Sequence, residues 1–309
     1  MNKTMRMTAL ALGLSLTGTA FTCSQDGKDG FLPDNDLYIP SNVKSINGID
    51  EEAFNQAIDE VEKVYAPIIA NMGARLNIER KWNDGTVNAY ASQSGKTWKV
   101  AMFGGLARHA TITKDAMALV VCHEIGHHIG GAPRKGQSPT GGGGGWWGGS
   151  SGSASAVSWA SNEGQADYFA TLKCLRKTWL NDNNALIAKT LNAPKVVVDS
   201  CNKIYKSNAD EAALCVRTSM AGKSVGDLFA SLGRLAEPKF DTPDKNVVSR
   251  TDDNHPKAQC RLDTYYQGSL CDVSMNEDVS SQEEVKGTCH ASLGHKIGLR
   301  PLCWFKPSK

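Results

Sequence analysis

The chain has 309 residues, of which 40% are hydrophobic and 21% charged, so it can bury a sizeable core and wholesale disorder is excluded. Its 34 basic and 32 acidic residues nearly balance, and we therefore expect no nucleic-acid partner. The mean hydropathy is -0.34 and no apolar run reaches about 18 residues, which argues against a transmembrane segment in the mature chain.

The first 20 residues have the pattern of an export signal peptide. Two basic residues precede an apolar stretch over 9–16, and small residues follow at Gly18 and Ala20, as a signal peptidase requires. We therefore expect an exported protein of the periplasm or cell envelope, with secretion as the alternative. Cys23 lies where a bacterial lipoprotein carries its acylated cysteine, but the three residues before it fit the lipoprotein motif poorly, so a lipid anchor at Cys23 stays open.

The rest of the chain predicts a mainly helical α+β fold with a small antiparallel or mixed sheet. Residues 21–47 are rich in Asp, Gly, Asn and Pro, which is typical of an extended lead-in on the surface. Asp50 caps an amphipathic helix that we expect Pro67 to kink or end. Periodicity and turn residues then predict three strands, over 75–82, 86–91 and 97–103. They also predict a helix over 114–129 that is capped by Thr113, a loop rich in Gly and Trp over 130–160, and a second helix over 162–179. We place the main domain over 48–270, with several shorter helices after 179 and a cysteine-containing extension over 271–309.

The predicted helix over 114–129 contains the motif His-Glu-x-x-His at His123, Glu124 and His127. Residues four apart on a helix lie on one face, so the two histidines can bind one metal ion. Glu124 would then lie beside the open coordination position and act as general base on a water molecule that the zinc activates. The motif therefore indicates a catalytic site with one Zn²⁺ per chain, whereas His128 points about 100° away and is expected at the surface or behind the ligands.

A catalytic zinc ion usually has three protein ligands, so the sequence should supply one more. Pro133 stands where the metzincin pattern would place a third histidine, which excludes that pattern. The second helix instead offers Glu163 and Asp167, which are again four residues apart. We expect Glu163 to bind the metal and Asp167 to orient a ligand histidine from the second shell of groups around it.

In order and spacing, these motifs resemble those of the gluzincin zinc metallopeptidases of the HtpX, BepA and CAAX-prenyl-protease type (peptidase family M forty-eight), and in particular a soluble exported bacterial member. The matching stretches are Asn-Ala-x-Ala at 88–91, a strand that ends before Gly105-Leu106, the zinc helix, Glu163 to Asp167, and His255-Pro256 followed by Arg261. The resemblance covers about residues 48–266.

The resemblance implies an edge strand near Val100 that pairs with an extended polypeptide substrate. It also places His255 near the metal, either as a donor to the oxyanion or as a zinc ligand in a resting state, and Arg261 behind the ligands. The chain departs from the family pattern because it has no transmembrane helices, no histidine soon after the zinc motif and no TPR-like repeats.

Nine cysteines fit an oxidising compartment, in which disulfides are the usual state. None forms a C-x-x-C pair, which argues against a zinc knuckle or a redox site of the thioredoxin type. Cys23 is then left without a partner. We expect Cys122–Cys174, which would join the two ligand-bearing helices. The other expected pairs are close in sequence, namely Cys201–Cys215, Cys260–Cys271 and Cys289–Cys303.

Together these features predict a zinc-dependent endopeptidase that hydrolyses envelope or extracellular proteins. The alternative is an exported zinc-containing chaperone-like or binding protein, with or without a lipid anchor, although such a site would not need Glu124. Trp146 and Trp147 in the glycine-rich loop allow two interpretations, a lid over the substrate cleft and an exposed linker.

Overall fold

The computed structural model describes residues 30–43, 45–136 and 158–308. The expected signal peptide, Cys23 and the Trp146–Trp147 pair lie outside the described residues. The described chain forms a mainly helical α+β fold with one small mixed sheet, which confirms the predicted fold class. Within these residues, no helix combines the length and the apolar character that crossing a membrane would require.

The first helix, α1 (Glu51–Asn71), begins where the Asp50 side chain accepts a hydrogen bond from Ala53 N. Pro67 lies inside the helix, so the predicted end at this residue is wrong. A proline in a helix removes one backbone hydrogen bond. The helix continues to Asn71, and Ile69 in this last turn is fully buried in the core.

The sheet contains β1 (Arg75–Lys81), β2 (Ala89–Ser94) and β3 (Thr97–Phe103) in the order β1-β3-β2. β3 runs parallel to β1 and antiparallel to β2, so Val100 has a partner on both sides. The expected edge strand near Val100 is therefore wrong, because β3 is central and β2 is an edge. The turn at Gly95, with a φ of 57°, folds β2 and β3 into a hairpin, and β1 then fills the other side of β3.

Helices build the rest of the fold. α2 (Gly104–Ala107) follows the sheet directly, and α3 (Lys114–Ile129) has the predicted bounds and the predicted cap, because the Thr113 side chain accepts from Ala116 N. The second predicted helix is α4 (Glu163–Phe169), which continues through a π-helical segment (Ala170–Cys174) into α5 (Leu175–Thr178). The remaining elements are α6 (Asn184–Thr190), α7 (Lys195–Ile204), α8 (Ala209–Gly233), α9 (Ala258–Leu270) and a 3-10 turn (Ala291–Leu293). α8 has 25 residues, so the expectation of short helices throughout this part is wrong.

α3 lies at the centre of the molecule. Its residues from Ala116 to His128 are all buried, as expected of a helix that other elements surround. It packs against α1, the sheet, α4, the π-helical segment and α8. The His-Glu-x-x-His motif is therefore carried by a helix in the interior of the fold.

Two disulfides confirm predicted pairs. Cys122–Cys174 joins α3 to the π-helical segment, and Cys201–Cys215 joins α7 to α8. The first of these links the two stretches of chain that carry the predicted metal ligands.

The other two predicted disulfides are wrong, because the structure pairs Cys260 with Cys303 and Cys271 with Cys289. Cys260 lies near the start of α9 and Cys271 just beyond its end. At 1.5 Å rise per residue their Cα atoms are separated by about 16 Å along the helix axis, whereas a disulfide requires less than about 7 Å. Closeness in sequence therefore does not predict a disulfide partner when a helix separates the two cysteines.

Both ends of the described chain pack into the domain. Phe31 and Leu32 are fully buried, although the sequence predicts a lead-in on the surface. Near the other end, Trp304 is fully buried beside Gly164, where an added Cβ would lie 2.2 Å from the indole Cδ2. The first turn of α4 therefore depends on the C-terminal segment for its packing.

Candidate metal centre

The helix α3 brings two imidazoles to one point. His123 and His127 are four residues apart, and their ring centroids lie 4.7 Å from each other at an angle of 87°. Both side chains are buried, with His123 fully enclosed. The opposite face of the same helix packs into the core, so the rings are fixed by the burial of their own helix.

The third side chain of the cluster comes from α4. The Asn162 side chain caps this helix by accepting from Gln165 N, and Glu163 is its first residue. Glu163 Oε2 lies 3.3 Å from His123 Nε2, and Oε1 lies 3.5 Å from His127 Nε2. The helices approach closely because Gly126 has no side chain: a Cβ there would lie 3.0 Å from Ala166 Cα.

Each imidazole is oriented by a hydrogen bond from its other nitrogen. His123 Nδ1 donates to Asp167 Oδ1 at 2.7 Å, and His127 Nδ1 donates to the Ser161 carbonyl at 2.8 Å. These bonds leave the lone pair of each Nε2 directed into the cluster. Asp167 therefore lies behind His123, the arrangement that the sequence interpretation expects.

Asp167 is itself held by two donors from α9. The Arg261 guanidinium and the Tyr265 hydroxyl, the latter at 2.6 Å, both donate to Asp167 Oδ1. Arg261 is fully buried, and its charge lies over the ring of Phe229 at 4.0 Å from the centroid. Tyr265 is a part of the site that sequence analysis missed, although its position four residues after Arg261 puts both on one helix face.

The electrostatics of the cluster depend on burial and on two carboxylates. Burial opposes protonation of His123, but Asp167 and Glu163 outweigh it and raise the pKa of this residue to about 9. Burial lowers the pKa of His127 to about 3, against the attraction of Glu163. Burial disfavours ionisation of Glu163, yet the positive charges around it hold its pKa well below the ordinary value. A divalent cation bound at Nε2 of His123 would compete with a proton for the same lone pair.

The residues fit a zinc ion by the chemistry of their donors. The ligand atoms of His123, His127 and Glu163 all lie within 4.8 Å of one another. Among the described residues, no hydrogen-bond partner reaches His123 Nε2 or Glu163 Oε2, although both are buried. Two imidazoles and one carboxylate are the ligand set of a catalytic zinc site with an open position. The two other groupings of potential ligands in the described chain use cysteines that are disulfide-bonded.

Glu124 is the next residue after His123 and is also buried. Burial, reinforced by the neighbouring charge of Glu163 and opposed by His123, raises the pKa of its carboxyl to about 7. Within the described chain, its Oε1 has no hydrogen-bond partner. A buried carboxyl with a pKa near neutrality is suited to take up and release a proton.

Two further side chains reach Glu163. His255 Nε2 lies 3.4 Å from Glu163 Oε2, so the structure brings this distant histidine to the cluster. Lys135 Nζ lies 2.8 Å from Glu163 Oε1 and was missed, because a lysine beside a glycine-rich loop carries no spacing signal. All seven residues that the sequence singles out for the site, from His123 to Arg261, therefore lie in or directly around one cluster.

His128 occupies a different setting from the one expected. It is buried rather than at the surface, and it stacks between Trp98 and Trp159 at centroid distances of 5.3 and 4.9 Å. Its Nε2 donates to the Lys99 carbonyl at 3.2 Å, and Gln93 lies 3.1 Å from its Nδ1. His128 thus fastens the end of α3 to the sheet and is not part of the ligand cluster.

Comparison of the chain with protein-family models, with curated proteins and with solved structures gives no match. The geometry and chemistry of this site are therefore the basis for a function.

Proposed function

We propose that this protein is an exported zinc-dependent endopeptidase of the gluzincin type, resembling peptidase family M forty-eight. The single observation that carries the proposal is the convergence of His123, His127 and Glu163 around buried donor atoms, with Glu124 on the adjacent helix position. A purely structural zinc site is normally closed by four protein ligands and has no use for a further carboxylate of raised pKa.

In this function the two histidines and Glu163 hold the zinc ion. When bound, zinc polarises a carbonyl group and lowers the pKa of water to about 7. Glu124 accepts the proton of the attacking water and delivers it to the departing amine, for which a pKa of about 7 is well matched. His255, which lies beside the cluster, donates a hydrogen bond to the oxygen on which negative charge develops.

An extended polypeptide is the substrate class that the surrounding fold supports. β2 is an edge strand that packs against α3, so its outer side can add a peptide strand next to the ligand-bearing helix. The four disulfides are typical of a compartment outside the reducing cytoplasm, which supports export. These two features support hydrolysis of envelope or extracellular proteins as the activity.

The test combines metal analysis with hydrolysis of an unfolded protein substrate by the exported, disulfide-bonded chain. Wild-type protein should bind about one equivalent of zinc and hydrolyse the substrate. Glu124→Gln should keep the zinc and lose hydrolysis, whereas Glu163→Ala should lose metal affinity. Hydrolysis by Glu124→Gln at the wild-type rate would refute the mechanism. A wild-type protein that holds zinc and hydrolyses nothing would favour the binding-protein alternative.

A further inference from the structure

The first described residues of the chain lie beside the candidate metal centre. Gly30, Phe31 and Leu32 are all buried, although the chain around them is a lead-in of mostly exposed residues. The Phe31 ring meets the His123 ring edge to face, with centroids 4.9 Å apart. The sequence around this segment gives no reason for a loop without secondary structure to enter the buried interior. The contacts that the segment makes there therefore require a reason.

One backbone hydrogen bond and two bonds with the Asn88 side chain hold this segment beside the start of β2. Phe31 N donates to the Ala89 carbonyl at 2.8 Å. Leu32 N donates to Asn88 Oδ1 at 2.9 Å, and Asn88 Nδ2 donates back to the Leu32 carbonyl at 3.2 Å. Main-chain pairing with an edge strand is the way in which extended peptides are recognised. The bond between Phe31 and Ala89 therefore uses a backbone group of the edge strand that the proposed function offers to a substrate.

The carbonyls of Gly30 and Phe31 accept hydrogen bonds from groups of the site. The Gly30 carbonyl accepts from His255 Nε2 at 2.8 Å, and the same Nε2 lies 3.4 Å from Glu163 Oε2. The Phe31 carbonyl accepts from Arg261 Nη1 at 3.1 Å. The peptide bond between Gly30 and Phe31 thus has its carbonyl oxygen on the proposed oxyanion donor and its nitrogen on the edge strand.

The space available to a side chain differs greatly between the two residues that this bond joins. Phe31 fills a closed pocket in which its ring contacts Phe229 and His123 and lies under the Arg261 guanidinium, 4.7 Å from the ring centroid. At Gly30 an added Cβ would lie 2.5 Å from Ala89 O, so any side chain there would force the backbone apart. The site accommodates glycine before the bond and a large aromatic residue after it.

We propose that Gly30–Leu32 is bound as an intramolecular substrate, and that the Gly30–Phe31 peptide bond is one that this site cleaves. The inference rests on the proposed function and adds to it a substrate class, namely peptides with glycine followed by a large apolar residue. Hydrolysis adds the hydroxyl of one water to the Gly30 carbonyl carbon, the C–N bond breaks, and the Phe31 nitrogen takes the remaining proton. The products are a peptide that ends in the Gly30 carboxylate and a mature chain that begins with Phe31.

Intact-mass analysis of the exported, zinc-loaded protein tests the self-cleavage. Wild-type chains should begin at Phe31, at a rate that does not depend on protein concentration because the reaction is intramolecular. Glu124→Gln chains should keep Gly30 and the residues before it that remain after export, which also controls for processing by other proteases. Phe31→Ser should slow cleavage about 10- to 100-fold, the factor that burial of one aromatic side chain supplies, while Phe31→Leu should remain competent. Leu37→Ser is the matched control, because Leu37 lies in the same lead-in and is 40% exposed.

A synthetic peptide with the sequence of residues 26–35 provides a second measurement that does not depend on the folding of variants. Wild-type enzyme should cleave it between the positions of Gly30 and Phe31. The Phe31→Ser peptide should show at least a tenfold lower kcat/KM, as should the Gly30→Val peptide. If the enzyme hydrolyses unfolded protein in a Glu124-dependent manner while its own 30–31 bond stays intact and the peptides are cut equally, this inference is overturned and the proposed function stands. If the zinc-loaded enzyme hydrolyses nothing, both fail.

Discussion

Replacing Asp167 by asparagine should weaken zinc binding and destabilise the fold by separate routes. The carboxylate accepts a hydrogen bond from His123 Nδ1 at 2.7 Å and another from the Tyr265 hydroxyl at 2.6 Å, and it neutralises the Arg261 guanidinium. The positive charge on Arg261 helps hold the pKa of Asp167 below its ordinary value, although burial opposes this. An amide of the same shape keeps an oxygen near His123 and loses the charge.

The two expected magnitudes differ in origin. Loss of a charged partner behind a ligand histidine typically lowers metal affinity about 10- to 100-fold. Leaving the fully buried Arg261 without its counter-ion should cost about 3–5 kcal/mol of unfolding free energy. Zinc affinity is measured by competition with a chelator of known affinity, and stability by urea unfolding of the metal-free protein. Both measurements are made on disulfide-bonded protein, since the disulfides are part of the native state.

Asp115→Asn is the matched control for this prediction. Asp115 also pairs with a buried arginine, Arg217, through contacts of 2.8 and 2.9 Å. It lies on α3 eight residues before His123, which corresponds to about 12 Å along the helix. The control should lose stability and retain wild-type zinc affinity. If Asp167→Asn behaves in the same way, the carboxylate does not orient His123 and the reasoning is wrong.

Three further predictions follow from packing, charge and cross-linking. Gly164→Ala should lower the unfolding free energy by about 1–3 kcal/mol and weaken zinc binding, because its Cβ would lie 2.2 Å from the buried Trp304 ring; urea unfolding and zinc titration would detect either effect. Burial raises the pKa of Asp263 to about 6, so the folded protein holds a proton between pH 4 and 6 that the unfolded chain releases, and stability falls as the pH rises by up to about 1.4 kcal/mol per pH unit. Asp263→Asn should remove this decrease of the unfolding free energy with pH. If the slope between pH 4 and 6 is unchanged in the variant, Asp263 is not the group responsible. Replacing Cys122 and Cys174 together by alanine opens a cross-link spanning 52 residues and should cost about 4 kcal/mol in the loop-entropy model, with the loss of zinc affinity as the second readout.

The features that could be predicted from the sequence depend mostly on local patterns along single helices. The bounds of α3 follow from the Thr113 cap and the apolar periodicity, and the placement of His123 and His127 follows from the helix repeat. Asp167 could be placed behind a histidine because it lies four residues after Glu163 on a second helix. Such features involve residues that are neighbours along one helix, so no knowledge of the tertiary structure is needed.

Contacts between distant segments could not be predicted in this way. The order of the strands depends on where β1 docks, and neither β1 nor the hairpin contains a signal for it. The partner of Cys260 is Cys303, which becomes close only because the C-terminal segment folds back over α4. The burial of Phe31 was missed for a related reason, since its surroundings in sequence are polar while its surroundings in space are Phe229 and Arg261.

The cross-links explain how a site assembled from distant segments can be rigid. Cys122 precedes His123 directly and is tied to the segment that continues α4. Cys260 precedes Arg261 directly, and its partner in the disulfide is followed by Trp304, the residue that packs on the first turn of α4. Both disulfides therefore hold neighbours of the cluster rather than remote loops. A metal ligand must keep its geometry within a fraction of an ångström to be effective. Cross-links therefore contribute most to the site when they lie beside the ligands or beside the residues that orient them.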